Sequence, residues 1–258
     1  MVAVVAPSKL VLPASHTKRT NIFVDTQTRH ALKEDKFRQA TAGGVTWVTE
    51  HRSNVLRWVI IGTVALVVIV GAFVTWNVRS ASAQRALGEA LETYSAPLLQ
   101  AGAPAEPGSY ATSADRSKAA NQKFLAVAKD FGWTSEGPKA HYFAGVTYME
   151  LGQNASAESE LKTASGTWNR DLANLGKIAL AGLYHQTGRD PQAVDLYNEV
   201  TAKPSTTVPA AVAQLDLADL YVAQGKQDQA KALWAKIKEA DKDGMAGSIA
   251  SQKLTGKQ

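Results

Sequence analysis

The alternation of apolar and polar positions breaks down completely at one place in this chain. From Trp58 to Val78 it reads WVIIGTVALVVIVGAFVTWNV, without a charge, and only Thr63, Thr75 and Asn77 interrupt the aliphatic run. A soluble helix keeps a polar face, and this stretch has none. Twenty-one residues at about 1.5 Å each span roughly 30 Å, the thickness of a bilayer's hydrocarbon core. Trp58 and Trp76 stand near its two ends, where indoles settle at the lipid–water boundary. The pattern predicts one transmembrane helix over 58–78. A cleaved signal peptide is the rival reading, and Ala81-Ser82-Ala83 imitates a cleavage site, but the apolar run is too long and the leader before it too extended.

Beyond the span the pattern turns amphipathic at once, with no long linker. Ala83, Leu87, Leu91, Tyr94 and Leu98 make a helical stripe, for which Ser80 or Ser82 is a candidate cap and Pro97 the expected limit. Residues 100–113 (QAGAPAEPGSYATS) read as a loop. A second helix carries Ala120, Phe124, Val127 and Phe131 on one face, with Gly132 as its stop. Before the span, residues 1–25 show no sustained period. Thr28 to Gln39 suits a short charged helix ended by Ala42-Gly43-Gly44. The segment from Val45 then places Trp47, Val48, His51 and Val55 at helical spacing and runs into the membrane helix.

From residue 144 onwards a pattern repeats. Tyr recurs at 148, 184 and 221, Gly at 152, 188 and 225, Ala at 157, 193 and 230, and a bulky residue at Leu161, Tyr197 and Trp234. The spacings are 36 and 37 residues at all four positions. Small residues precede each Tyr (Ala144/Gly145, Ala181, Ala218), the glycines suit a left-handed helix exit, and Asp190-Pro191 reads as a cap with proline in the first turn. This pattern resembles the tetratricopeptide repeat, a two-helix unit with a period of roughly 34 residues. Here the period is longer, and the proline ending each unit is displaced to Pro204 or absent. The resemblance implies an all-α fold in which a single N-terminal transmembrane helix precedes a tetratricopeptide-repeat α-solenoid. The expected layout is a basic arm over 1–57, the span over 58–78, N-terminal capping helices over 79–137, three repeats over 138–240, and a capping helix and tail over 241–258. The helices are expected to form one right-handed superhelical domain.

Charge sets the expected orientation. Residues 1–57 hold nine Lys/Arg against four acids, while the rest balances 19 against 19, so the net charge of +5 belongs to the arm. The nearest flanks, Arg52 and Arg57 against Arg79 and Arg85, are nearly even. The wider bias favours a cytosolic N-terminus and an outer C-terminal domain. The arm's dispersed charges lack a nucleic-acid motif and suit contact with anionic headgroups. The chain contains no cysteine, which excludes disulfides, thiolate zinc sites and a cysteine nucleophile.

Catalytic constellations do not emerge. The five histidines (16, 30, 51, 141, 185) are scattered, without metal-ligand spacing. Asp241-Lys-Asp243-Gly244 is a fragment of a calcium loop without its later ligands, and reads as a helix cap. Asn154-Ala-Ser156 falls in a helix–helix turn, where capping is expected, and Asp216 and Asp219 read as a solvated face. No enzyme, cofactor or metal is therefore expected. In the repeat family the first helix of each unit lines the concave face. That implies Tyr142, Val146, Met149, Glu150, Ile178, His185, Gln186, Leu215, Asp219 and Val222 as a largely apolar protein-binding set, or else as inter-repeat core.

The layout as a whole is similar to the YfgM-type ancillary subunits of the bacterial SecYEG translocon. The most family-like wording is Lys123-Phe-Leu-Ala-Val-Ala-Lys129-Asp-Phe and Gly137-Pro-Lys-Ala-His-Tyr-Phe-Ala-Gly145. The long N-terminal arm departs from that family. The resemblance implies a single-pass protein of the bacterial inner membrane with a periplasmic repeat domain. Its implied partners are the translocon, nascent secreted chains and a chaperone of the peptidyl-prolyl isomerase type. A cell-envelope scaffold of the division or Tol–Pal kind, or a signalling protein whose cytosolic arm holds a regulator, fits the same layout. A homo-oligomer stays open.

Overall fold

The structure, a computed structural model, describes residues 52–99 and 108–256. Among these there are nine helices and no strand. They are α1 (Arg52–Ser95), α2 (Ser113–Asp130), α3 (Glu136–Glu150), α4 (Asn154–Ser165), α5 (Arg170–Gln186), α6 (Asp190–Ala202), α7 (Ala210–Ala223), α8 (Gln227–Ala240) and α9 (Met245–Thr255). The expected elements before Arg52, with Trp47, Val48 and His51, and most of the loop at 100–113 lie outside the described residues.

Packing divides the chain after Ile69. In the first unit the described residues are the apolar opening of α1. Every residue from Trp58 to Val78 is exposed, so this stretch of α1 is not buried in a core. The helix is long and apolar enough to cross a membrane, with a mean hydropathy of 2.5 over its most apolar 18 residues. The span's two threonines spend their hydroxyls inside the helix, Thr63 donating to the Val59 carbonyl at 2.8 Å and Thr75 to that of Gly71 at 2.8 Å. Each hydroxyl hydrogen is thereby satisfied within the helix.

One expectation is corrected here. No new helix is capped at Ser80 or Ser82. Ser82 donates its hydroxyl to the Val78 carbonyl at 3.0 Å, and α1 runs on to Ser95. Nothing between Asn77 and Ser95 breaks a helix; the switch from all-apolar to amphipathic changes the surroundings of the helix, not its backbone. It ends just before Pro97, as the sequence predicts.

The second unit, from Val70, holds the stack. Helices α2 to α9 pack in chain order, each on the next, with α3 also touching α5 and α7 touching α9. The core falls into three connected pieces. Leu87 and Ala90 of α1 meet Ala120, Phe124 and Val127 of α2 and Ala140 and Ala144 of α3. Leu161, Leu180, Leu183, Tyr184, Tyr197 and Leu217 form the middle. Ala218, Ala230, Trp234, Ile237 and Ala250 close the far end. Helix α2 starts on a Thr112 cap, whose hydroxyl accepts from the Asp115 N–H at 3.0 Å. Buried Asn121 of α2 donates to the Ala144 carbonyl at 3.0 Å and to Thr147 at 2.9 Å, fastening α2 to α3.

The repeat has a direct structural cause. At each of the three turns the recurring glycine is left-handed, with φ of 70° at Gly152, 74° at Gly188 and 75° at Gly225. The N–H after each glycine reaches back to the carbonyl of the recurring tyrosine: Gln153 to Tyr148 at 2.9 Å, Arg189 to Tyr184 at 2.7 Å, Lys226 to Tyr221 at 2.8 Å. Each glycine's own N–H bonds one residue later, to Met149, His185 and Val222. This is the Schellman helix ending, three times over. After each turn the recurring Ala157, Ala193 and Ala230 are wholly buried.

Two expected caps are corrected. Helix α4 begins at Asn154 itself, whose Oδ1 is buried without a partner. Helix α6 begins at Asp190, in its first turn, with Arg189 at the cap position. A capping side chain must stand one residue before the first turn, and both Asn154 and Asp190 lie inside it.

Candidate protein-binding surface

The residues singled out from the repeat register lie on α3, α5 and α7, the first helices of the three units, and all are half-buried or exposed. They divide into two kinds. Tyr142, Met149 and Ile178 pack on the middle core, and Leu215 and Val222 on the far-end core, each leaving part of its surface free. Burial pushes the Tyr142 phenol up from its usual range. Val146 is likewise half-buried, and Gln186 is exposed. These side chains offer apolar surface on a rigid base.

The charged members are already engaged. Glu150 accepts from the Tyr94 hydroxyl of α1 and the Ser117 hydroxyl of α2, so it ties the first repeat to the preceding helices. Burial first, and then this carboxylate, push the Tyr94 phenol up to about 12. His185 Nδ1 lies 2.7 Å from Asp190, which also accepts from Gln224 Nε2 at 2.8 Å. His185, followed by Gln224, holds the Asp190 carboxyl below its ordinary value. Asp219 is paired with Lys253 of α9 at 2.9 Å. His141 likewise has a carboxylate, Glu160, at 2.6 Å. Among the described residues no group of His, Asp or Glu is arranged to hold a metal.

Asp216 corrects the expected solvated face. It is half-buried near Tyr197, and burial, then the charge of Asp219, raise its carboxyl above the usual range. Tyr197 is pushed up to about 12 by its burial and by both aspartates. The i, i+3 spacing is that of one helix face, but Asp219 is the exposed member and Asp216 turns partly inward.

Sequence reasoning missed the network between the first two repeats. Glu158 of α4 meets Lys162 at 2.7 Å, Arg189 at 2.8 Å and the Tyr184 hydroxyl at 3.2 Å. Lys162 leads in lowering its carboxyl to about 2. Arg189 also sits 4.3 Å from the centre of the Tyr184 ring. The available signal was the arginine straight after a repeat glycine. A second omission is a cleft of about 670 Å³ at the far end, where Val222, Trp234, Ile249 and Leu254 meet Lys231 and Lys253. Trp234 Nε1 is buried near it without an acceptor.

The arrangement is a face of half-buried apolar side chains flanked by charges that are already paired. It can hold another polypeptide by apolar contact, which is the ordinary use of stacked helical hairpins. Comparison with known proteins agrees at that level. The model of the tetratricopeptide repeat-like domain matches residues 56–256, taking in the apolar span as well as the repeats. No curated protein and no solved structure matches the chain. With a helical stack closed by three identical turns and a match over most of its length, the chain belongs to the tetratricopeptide repeat-like domain family.

Proposed function

We propose that this chain is a non-enzymatic adaptor anchored in the bacterial inner membrane. In this reading α1 crosses the membrane once, the N-terminus is cytoplasmic, and the repeat domain works in the periplasm. There it holds nascent secreted chains or a peptidyl-prolyl isomerase-type chaperone beside the SecYEG translocon, which α1 contacts laterally. The observation that carries the reading is the single family match running from Leu56 to Gly256, which takes in both an exposed apolar helix and an interaction domain. The charge of the N-terminal arm supports the orientation. The family wording of residues 123–131 and 137–145 supports the translocon setting.

The binding face in this proposal is the apolar set on the first helices, above all Met149, Ile178, Leu215 and Val222. Co-purification of the full chain from solubilised membranes tests it. With Met149→Glu and Ile178→Glu together, the chaperone or secreted chain is lost while translocon subunits held by α1 remain. Gln186→Arg, at an exposed position, probes the same face without touching the core. Unchanged recovery of every partner with all three substitutions would sink this face.

A further inference from the structure

The turn between α2 and α3 carries a tryptophan that the repeat architecture does not use. Trp133 is 50% exposed, and the centroid of its ring lies 4.8 Å from that of Trp76, itself 49% exposed, at an interplanar angle of 59°. Trp76 stands two residues before the end of the uncharged stretch, and the first charge after it is Arg79. We propose that the turn Phe131-Gly132-Trp133 is a second membrane-contact point, seated in the headgroup–hydrocarbon boundary of the leaflet on the repeat-domain side. The proposal rests on the reading that α1 crosses a membrane.

Exposure alone does not carry it. Trp168, on the α4–α5 loop, is 91% exposed and has no aromatic neighbour among the described residues, and nothing ties it to a bilayer. Trp133 differs because its partner ring belongs to the apolar helix, at the level where that helix must leave the hydrocarbon. The two indoles lie within one ring's width, so whatever layer receives one receives the other. An indole prefers that layer, apolar body inward and N–H toward water.

The turn is also held there. The Arg79 guanidinium lies 5.4 Å from the centre of the Phe131 ring, and its Nη2 donates to the Asp130 carbonyl at 3.4 Å. Thr134 closes the turn with its N–H and its hydroxyl, which donate to the Phe131 carbonyl at 2.9 and 2.8 Å. Gly137 of α3 leaves no room for movement: a Cβ there would lie 2.5 Å from Gly132 Cα. The contact belongs to the indoles, whose preference for the boundary layer does not depend on an anionic lipid.

The absence of cysteine permits a direct test. Spin labels are placed singly at Asp130→Cys, Val64→Cys and Trp168→Cys in the full chain, reconstituted in phosphatidylcholine vesicles. Collision with oxygen, against collision with a water-soluble nickel complex, gives each label's depth. The expected result is hydrocarbon at 64, boundary at 130 and water at 168. Trp133→Ser should raise nickel collision at 130 several-fold toward the level at 168, Trp133→Tyr should restore the boundary reading, and helical content should stay unchanged. A label at 130 reading as water while 64 reads as hydrocarbon overturns the second contact and leaves the crossing intact. An aqueous reading at 64 removes the crossing, and this proposal with it.

Discussion

The residues that write the repeat also fix its turns, and this makes their roles separable by substitution. Gly188 is left-handed, and a Cβ there costs about 1–2 kcal/mol from backbone strain although nothing crowds it. Gly182 lies inside α5 with equally open surroundings and ordinary helical backbone. Gly188→Ala should therefore destabilise by about 1 kcal/mol or more, and Gly182→Ala should stabilise by about 0.5–1 kcal/mol, in chemical denaturation. Asp216 gives a second test at this scale. Its carboxyl has a raised pKa in the folded state, so folding favours the protonated form. That contribution is present below the ordinary value of 3.8 and lost as pH rises through the folded one. Asp216→Asn should raise the melting temperature at pH 7, with the gain vanishing below about pH 4. An equal gain at both pH values would contradict the assignment.

At the scale of the helix, close approach decides which residues are small. Gly145 of α3 lies against Leu161 of α4, and a Cβ there would come within 2.6 Å of the leucine Cγ. Leu161 is wholly buried, so Leu161→Ala should cost about 2–5 kcal/mol. Gly145→Ala should destabilise as well, through crowding. The double variant should cost clearly less than the two losses added, because each change relieves the other. Strict additivity by urea denaturation would mean the helices do not meet there. This scale was the most legible in the sequence, because a left-handed exit and a helix contact each restrict residue type. The same logic explains what was not legible. The boundary expected near Ser80 was a change of environment along one helix, and capping at Asn154 and Asp190 depended on a shift of one residue. Glu150 was legible only as a member of the concave set, because its partners, Tyr94 and Ser117, lie 56 and 33 residues away.

For the whole molecule, the stack and its exposed apolar helix follow from periodicity, while the occupant of the surface does not. Met149 and Ile178 sit half in the core, and apolar side chains in that position serve packing and binding by the same chemistry. Only a partner separates the two uses. The most direct measurement is photocrosslinking of the full chain in intact membranes, with the reactive residue at Val64 or at Met149. Capture of translocon subunits at Val64, with a chaperone or nascent secreted chain at Met149, is the expected result. Division or wall proteins at both positions, or only further copies of this chain, would contradict a secretion adaptor.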